Sequence, residues 1–372
     1  MPPLLQIPRV HFDFGAISVL SEELDVLRIG RPLLITDRGL VACGVLARVS
    51  DTLSANVTKS VFDGVPENPT IDGVDRAFAA YRDGDCDGVV AVGGGSVIDT
   101  AKAVSVLAGH PGPISAYLGH PEKLTRSIAP LIAIPTTAGT GSEASRGAGI
   151  HPNAKSRAIG LNSPYLVPKV AICDPELTLT LPPHLTAGTG MDALSHCIEG
   201  FLADPANPPL DAVALDGVER VFTYLERAVS NGGDREARWN MLMAGLEGGM
   251  SIFKGLGPAH AIANACGDRG LHHGMLVTIA LPATLRLLES RIEGKMRRLR
   301  AAIKLAPDHR VSDTVVELNR RVGVPASLRA LGFHATDLEE VASDAANSWF
   351  NARSPYRPSK SEFASILEEI AG

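Results

Sequence analysis

The sequence lacks the features that mark several common classes of protein. Its cysteines are odd in number, scattered and without a C-x-x-C pair, which excludes a disulfide framework and a zinc knuckle. They are Cys43, Cys86, Cys173, Cys197 and Cys266. Beyond the short run KMRRLRAAIK, which is typical of the solvated face of a helix, no basic patch stands out in a chain of net charge -6, so we do not expect nucleic acid as a partner. Unpaired cysteines are typical of a reducing compartment.

Long apolar runs are also missing. The most apolar stretch, SVLAGHPGPISAYLG, is interrupted by glycine, proline and histidine, whereas a transmembrane helix needs about 20 apolar residues. The first residues, MPPLLQIPRVHF, have neither the basic start nor the apolar stretch of a signal peptide. We therefore expect a cytoplasmic protein that does not bind a membrane.

The pattern of apolar residues predicts two domains of different class. The chain has 372 residues, of which 45% are hydrophobic and 20% charged, as in globular proteins with ordinary cores. In its first half, short apolar bursts alternate with helical patterns, and this alternation predicts a parallel sheet with crossover helices. The candidate strands lie at 31–37, 57–65, 87–95 and 129–137.

The second half of the chain has a different pattern of apolar residues. Long alanine-rich segments with helical periodicity follow residue 180, and no alternation there favours a strand. The sequence therefore predicts an α/β domain over residues 1–180 and an all-helical domain over 181–372.

The helical half contains a candidate metal site. Asp192 and His196 stand four residues apart, a spacing that places both side chains on one face of a helix, where they can converge on a cation. His260 and His273 would complete the ligands. One oxygen and three nitrogens suit iron or zinc better than magnesium or calcium. On spacing alone the D-x-x-x-H pair is more often a solvated pair on a helix, so the prediction depends on the rest of the chain.

A glycine turn marks a candidate phosphate site in the α/β half. Gly93, Gly94, Gly95 and Ser96 follow the apolar run VVAV and precede a helical pattern. Glycines let backbone N–H groups approach an anion, and the helix N-terminus adds its positive dipole, so this turn suits a pyrophosphate. The sequence is not the G-x-G-x-x-G fingerprint, and a plain turn between strand and helix is the alternative.

Two further polar positions follow predicted strands, where ligands of open parallel sheets collect. Thr136, Thr137 and Thr140, in PTTAGTGSEAS, could donate hydroxyls to a phosphate or carboxamide, or could satisfy the backbone of their own loop. Asp37 ends the first strong strand. Its carboxylate could accept hydrogen bonds from ribose hydroxyls and repel a 2′-phosphate, which favours NAD over NADP. A helix cap is the alternative for Asp37.

Taken together and in order, these motifs resemble the iron-containing (group III, metal-dependent) alcohol dehydrogenase family. The resemblance covers nearly the whole chain and rests on LLITDRGLVACGV, DGVVAVGGGSVIDTAKA, IAIPTTAGTGSEAS, PKVAICDPELTLTLPP, GMDALSHCIEG, KGLGPAHAIA and LHHG. It implies the dehydroquinate synthase-like fold, with NAD(P) on the α/β domain, a metal on the helical domain and the active site in the cleft between them. It also implies a homodimer or higher homo-oligomer.

The resemblance assigns roles residue by residue. The metal-ligand positions match Asp192, His196, His260 and His273, and the cofactor positions match Asp37, Gly94, Gly95, Ser96, Asp99, Thr136, Thr137 and Thr140. We therefore expect NAD(H) in preference to NADP(H), and one divalent metal, Fe²⁺ ahead of Zn²⁺.

The chain departs from the family near the last two histidine ligands. Asn264 stands where the family usually has a second histidine, thought to relay a proton, and an amide cannot act as a base near neutral pH. The segment from His260 to His273 is one residue shorter than usual and ends in His272 and His273, so either imidazole could be the ligand. The following Gly274 favours His273 as the ligand. Without a histidine at 264, the proton would leave through water, a ribose hydroxyl or His272, and His272 is the candidate catalytic residue.

Two other positions bear on the cofactor and the metal. Ala158, beside Arg157, stands where a lysine is usual, which puts cofactor contacts on that side in doubt. Maleylacetate reductases, which are close relatives, carry asparagine at the position of Asp192, so the aspartate here favours a retained metal.

The sequence thus predicts an oxidoreductase that transfers hydride reversibly between a small alcohol or carbonyl compound and nicotinamide, with the metal as Lewis acid. An anionic carbonyl substrate, such as an ω-hydroxy acid or a phosphonate-bearing aldehyde, is an alternative, with Arg146, Lys254 or Arg269 as the anion-binding cation. A polyol dehydrogenase or a dehydroquinate-synthase-like cyclase is more distant. A metal-binding relative without turnover is the alternative outside enzymes.

Overall fold

The chain divides into two structural units. The computed structural model describes residues 5–267, 271, 273–333 and 338–372. Residues 6–137 and 141–180 form the first unit, and residues 138–140 with the described part of 181–372 belong to the second.

A six-stranded sheet forms the centre of the first unit. Its strands are β1 (Arg9–Phe12), β2 (Pro32–Ile35), β3 (Ser60–Phe62), β4 (Gly88–Gly93), β5 (Leu131–Pro135) and β8 (Val170–Cys173). All neighbouring strands are parallel, in the order β1-β8-β5-β4-β2-β3. β2, β4 and β5 are buried throughout, as is usual for parallel strands covered on both faces. The predicted parallel α/β fold is confirmed.

Helices cover both faces of this sheet. They are α1 (Leu20–Leu27), α2 (Arg38–Ala42), α3 (Val45–Ser50), α4 (Ile71–Asp83) and α5 (Gly95–Leu107). Because side chains alternate along a strand, Val90 and Val92 pack in one core with residues of α1 and α3. Val89 and Ala91 pack in a second core with residues of α4 and α5.

The first unit also contains strands that the sequence analysis did not predict. They are β1, β8 and a separate antiparallel pair, β6 (Gly147–Ile150) and β7 (Ile159–Asn162). The pair reads GAGI and IGLN, with too many glycines to produce a recognisable strand pattern.

Helices make up the regular structure of the second unit wherever the structure describes it. They are α6 (Pro183–Leu202), α7 (Pro208–Ser230), α8 (Arg235–Ser251), α9 (Pro258–Cys266), α10 (His273–Glu289), α11 (Glu293–Ala302), α12 (Val311–Arg321), α13 (Leu338–Asn347) and α14 (Lys360–Ala371). α6 is buried over almost its whole length and packs against α7, α8 and α10. Its glycines permit this, because a Cβ at Gly190 would lie 2.3 Å from Cδ1 of Leu225. Across the described residues, no helix is long and apolar enough to cross a membrane.

Candidate active site

Three helices of the second unit bring the predicted metal ligands together. On α6, Nε2 of His196 lies 3.8 Å from Oδ1 of Asp192. Nε2 of His260, on α9, lies 4.0 Å from the same oxygen, and the His260 ring stacks on that of His196 with 4.8 Å between centroids. The ring of His273, at the start of α10, lies 5.6 Å from that of His260. Ligand atoms of Asp192, His260 and His273 all lie within 4.8 Å of one another.

This cluster is buried on α6 and α9 and exposed on α10. Asp192, His196 and His260 are at most 5% exposed, whereas His273 is exposed. A carboxylate and two imidazoles buried together without a cation would be a costly arrangement. An exposed edge at His273 leaves an approach for a small molecule from solvent.

Glu199, one turn after His196 on α6, fixes the orientation of His260. Its Oε2 lies 2.6 Å from Nδ1 of His260, and its carboxylate accepts the backbone N–H groups of Gly257 and Ala259 at 2.9 and 2.7 Å. Glycine at 257 permits this approach, because a Cβ there would lie 2.7 Å from Oε1 of Glu199. With Nδ1 donating to Glu199, the lone pair of Nε2 points away from that carboxylate.

Electrostatics keep His260 neutral in this position. Burial, and then the neighbouring His196, lower the pKa of His260 to about 3, although Asp192 opposes the shift. Burial raises the pKa of Glu199 to about 7, against the backbone N–H groups that it accepts. The contact between His260 and Glu199 is therefore a hydrogen bond from a neutral imidazole.

The buried Nε2 of His260 has no hydrogen-bond partner within the part of the chain that the structure describes. Such an atom needs an explanation, because buried polar atoms are nearly always paired. A divalent cation shared with Asp192 provides one. One oxygen and three nitrogen donors fit iron or zinc, so the residues present fit the metal that the sequence predicts.

The predicted phosphate turn lies between β4 and α5 in the first unit. β4 ends at Gly93, and Gly94 is the N-cap of α5. Glycine at 93 is required, because a Cβ there would lie 2.5 Å from Cγ2 of Val97. Gly95 is the first residue of α5, and the hydroxyl of Ser96 donates to the carbonyl of Glu67. The hydroxyl of Ser96 is thus engaged in a hydrogen bond within the first unit, while the backbone of the glycine turn forms the start of α5.

The threonine turn after β5 lies beside the glycine turn. The backbone N–H of Thr136 donates to the carbonyl of Gly93 at 3.2 Å, and a Cβ at Gly94 would lie 3.2 Å from the side chain of Thr137. Neighbouring parallel strands β4 and β5 produce this adjacency. Thr140 belongs to the segment 138–140 of the second unit.

Asp99 and Lys102 connect α5 to the loop that follows the threonine turn. Asp99 accepts hydrogen bonds from the hydroxyl of Ser142 at 2.6 Å and the backbone N–H of Gly149 at 2.8 Å. The fully buried Nζ of Lys102 donates to Ser142 at 2.9 Å and to the carbonyl of Gly147 at 2.7 Å. Burial lowers the pKa of Lys102 to about 8, against the charges of Asp99 and Glu143. Both side chains therefore anchor the loop, a role that the sequence analysis did not assign.

Asp37 is the N-cap of α2. Its Oδ1 accepts the backbone N–H of Leu40 at 3.0 Å. The helix-cap alternative is thus present in the structure, and the contact with a ribose stays a prediction.

Comparison with known proteins decides what these two sites belong to. Residues 8–175 match the family model described as iron-containing alcohol dehydrogenase, and residues 186–371 match that of the C-terminal region of the Fe-containing alcohol dehydrogenase family. The chain belongs to the iron-containing alcohol dehydrogenase family. The resemblance seen in the sequence is confirmed, and the chain is an oxidoreductase of this family.

Several relatives align with this dehydrogenase over nearly its full length. The "4-hydroxybutyrate dehydrogenase" of Cupriavidus necator is 43% identical over 376 residues, which cover 98% of each chain. A solved "1,3-propanediol oxidoreductase" has a TM-score of 0.93 and 31% identity, covering 98% of this chain and 99% of its own. The sulfoacetaldehyde reductase of Bifidobacterium kashiwanohense, solved in complex with NAD⁺, has a TM-score of 0.91 and 27% identity, covering 99% and 98%.

The structure describes some, but not all, of the positions that depart from the family pattern or were expected to bind an anionic substrate. His272 and Arg269 lie outside the described residues. Asn264 lies on α9, one turn after His260, and is half-buried. Lys254 was a candidate anion binder, but its buried Nζ donates to Oδ1 of Asp211 at 2.5 Å and to the carbonyl of Phe201 at 3.0 Å. It is therefore committed to an internal ion pair.

Arg146, the remaining anion-binding candidate among the described residues, and Arg157, the neighbour of Ala158, lie next to the strands β6 and β7 in the sequence. Arg146 is half-buried directly before β6, and Arg157 precedes Ala158 and the first residue of β7. Both arginines have contacts within the protein.

Proposed function

We propose that this family member is a metal-dependent, NAD(H)-linked dehydrogenase that converts small primary alcohols and the corresponding aldehydes reversibly. The observation that carries the proposal is the buried Nε2 of His260, oriented by Glu199 and 4.0 Å from Oδ1 of Asp192. A neutral, oriented and desolvated imidazole next to a carboxylate is a strong metal ligand.

One divalent cation, Fe²⁺ ahead of Zn²⁺, would be held by Asp192, His196, His260 and His273. It would supply Lewis-acid chemistry, which lowers the pKa of an alcohol and polarises a carbonyl. Glu199 holds the proton at Nδ1 of His260, so that Nε2 keeps its lone pair. The low pKa of His260 means that protons do not compete for this nitrogen at neutral pH. The backbone N–H groups at the start of α5 would bind the pyrophosphate of the dinucleotide.

An ω-hydroxy acid is the second candidate substrate. The relative that is 43% identical over 98% of the chain carries the name 4-hydroxybutyrate dehydrogenase. With Lys254 paired to Asp211, the cation for a carboxylate has to come from elsewhere, and Arg146 and Arg269 are the remaining sequence candidates. Cytoplasmic location, a homo-oligomer and preference for NAD(H) over NADP(H) belong to the same proposal.

A substrate and cofactor panel tests the proposed function. The enzyme is reloaded with Fe²⁺ or Zn²⁺ and assayed with NAD⁺ or NADP⁺ against 1-butanol, 1,3-propanediol and 4-hydroxybutyrate, and with the reduced cofactors against the aldehydes. We expect metal-dependent turnover and a higher kcat/KM with NAD(H). Tight NAD⁺ binding without turnover on any substrate would favour the metal-binding relative instead.

We further propose that His272 relays the proton that Asn264 cannot carry. The His272→Ala variant should then lose much of its kcat while it keeps its metal. An empty metal site in that variant would make His272 the ligand, with His273 as its neighbour. Full activity with full metal would assign the relay to water.

A further inference from the structure

An aromatic pair, Trp349 and Phe350, lies beside the metal centre. The ring of Phe350 meets that of His260 edge to face, with 6.0 Å between centroids and 60° between planes. Phe350 thus places an apolar ring directly against a predicted ligand. It is half-buried and packs on the core of the helical unit.

Trp349 extends this aromatic surface into solvent. Its ring lies 5.7 Å from that of Phe350 at 71°, and the guanidinium of Arg353 lies 5.3 Å above it. The residue is 54% exposed, and it is the aromatic member of the exposed large apolar residues within the described ranges. The exposed indole of Trp349 contacts the ring of Phe350, which in turn contacts His260, a predicted metal-ligating residue. Such an aromatic surface is an expected feature of the rim of a small-molecule site.

Hydrogen bonds hold the aromatic pair in place. The side-chain amide of Asn351 donates to the carbonyls of Ala346 at 3.0 Å and Pro358 at 3.2 Å. The backbone N–H of Phe350 donates to the hydroxyl of Ser348 at 3.3 Å. The pair follows the end of α13, and α13 packs against α9, the helix that carries His260. Phe350 therefore presents its ring to the candidate metal cluster from an anchored segment, and the ring of Trp349 adjoins it.

We propose that Phe350 and Trp349 determine substrate specificity by limiting the width and length of the carbon chain attached to the reacting oxygen. The inference rests on the proposed function, because it concerns the substrate of that reaction. A substrate whose oxygen binds at the cation must place its first carbons beside the ligands. Where Phe350 occupies that space, short unbranched chains pack along the ring and branched or longer chains collide with it.

Kinetics of matched variants test the role of Phe350. The metal-loaded wild type, Phe350→Ala and Phe222→Ala are compared on 1-butanol, 1-hexanol and 3-methyl-1-butanol. Phe222 is the control because it is a half-buried phenylalanine of the same core. We expect Phe350→Ala to raise the kcat/KM of hexanol and of the branched alcohol relative to butanol by roughly tenfold. Phe222→Ala should lower all three alike or change none, because a loss of folded enzyme does not alter a ratio.

A second variant covers the case in which Phe350→Ala does not fold. Phe350→Leu keeps an apolar side chain of similar length but removes the ring, and should shift the same ratio in the same direction by a smaller factor. An unchanged ratio in whichever of these variants is active overturns the role of Phe350.

Fluorescence tests Trp349 without turnover. The chain has two tryptophans, Trp239 and Trp349, so Trp239→Phe leaves Trp349 as the reporter. We expect its emission in the Zn²⁺-loaded protein to change with 1-butanol and to saturate, while the Trp349→Phe protein does not respond. An unresponsive Trp349 overturns its part in the surface. A responsive Trp349 in an enzyme that turns over no alcohol supports the surface and contradicts the proposed reaction, so the two failures are distinguishable.

Discussion

Nδ1 of His260 lies 2.6 Å from Oε2 of Glu199, a residue of a different helix whose carboxylate also accepts three backbone N–H groups. This hydrogen bond selects the tautomer of His260 that leaves Nε2 able to bind a cation. The carboxylate would thus act on a cation bound at Nε2 through the imidazole ring.

Replacing Glu199 by glutamine should weaken metal binding by roughly 10- to 100-fold. The amide oxygen is a poorer acceptor, and the NH₂ group has to face a backbone N–H donor, that of Gly257 at the position of Oε2 or that of Ala259 at the position of Oε1. Competition with a chelator at pH 7 measures the affinity. Glu247→Gln is the matched control, because Glu247 is a buried glutamate of α8 whose predominant form at pH 7 is already neutral. Equal metal affinity in the two variants would contradict the role of Glu199.

His196→Ala should reduce the affinity for the metal by at least about tenfold, because it removes a nitrogen donor from the cluster. His184→Ala is the control, since His184 lies exposed in the first turn of the same helix. Elemental analysis of both purified proteins gives the result. A metal content in His196→Ala equal to that of the control would show that Asp192, His260 and His273 suffice.

Asp37→Ser should raise the ratio of kcat/KM with NADP(H) to that with NAD(H), because a carboxylate that repels the 2′-phosphate is lost. Serine is chosen since Asp37 also caps α2, and its hydroxyl retains the capping acceptor, whereas alanine would cost about 1 kcal/mol in the cap. Steady-state kinetics with both cofactors measure the ratio. A wild-type enzyme that already prefers NADPH would refute the assignment of Asp37.

Glu247 should make the stability of the helical unit depend on pH. Burial, and then the hydrogen bond and charge of Asp216, raise the pKa of Glu247 from 4.5 to about 9. The folded state therefore binds more protons than the unfolded state between these values, and the free energy of unfolding falls as pH rises through this window. Its contribution is fully present below pH 4.5 and is lost above about 9.

Denaturation in urea at pH 6, 7.5 and 9 checks this prediction on metal-free wild type and Glu247→Gln. The wild type should lose roughly 1 to 3 kcal/mol relative to the variant between the lowest and highest pH. Parallel pH profiles for the two proteins would show that Glu247 ionises as it does in water.

Strong local patterns made much of the fold predictable. β2, β4 and β5 are apolar runs that end in turn residues, and the i, i+4 spacing of Asp192 and His196 fixes their common helix face. The pairing of β6 with β7 was not predictable, because glycine-rich strands carry little pattern and their partner is set by tertiary contacts.

Roles that depend on burial were not predicted from the sequence. Glu199 and Lys102 look like ordinary charged residues on helices, yet both are buried and hydrogen-bonded on several sides. For Glu199 a signal was present, because Asp192, His196 and Glu199 follow at i, i+4 and i+7 on one helix face. The contact of Phe350 with His260 joins residues 90 positions apart, and no local pattern reports it.

The candidate ligands come from α6 and from the consecutive helices α9 and α10, and α7 and α8 separate α6 from α9 along the chain. A cation held between them would act as a removable cross-link within the helical unit, absent from the unfolded chain. Free metal concentration would then set the resistance of this unit to heat and proteolysis as well as its catalytic competence. Scarcity of the metal that this site binds would thereby shorten the lifetime of the polypeptide itself.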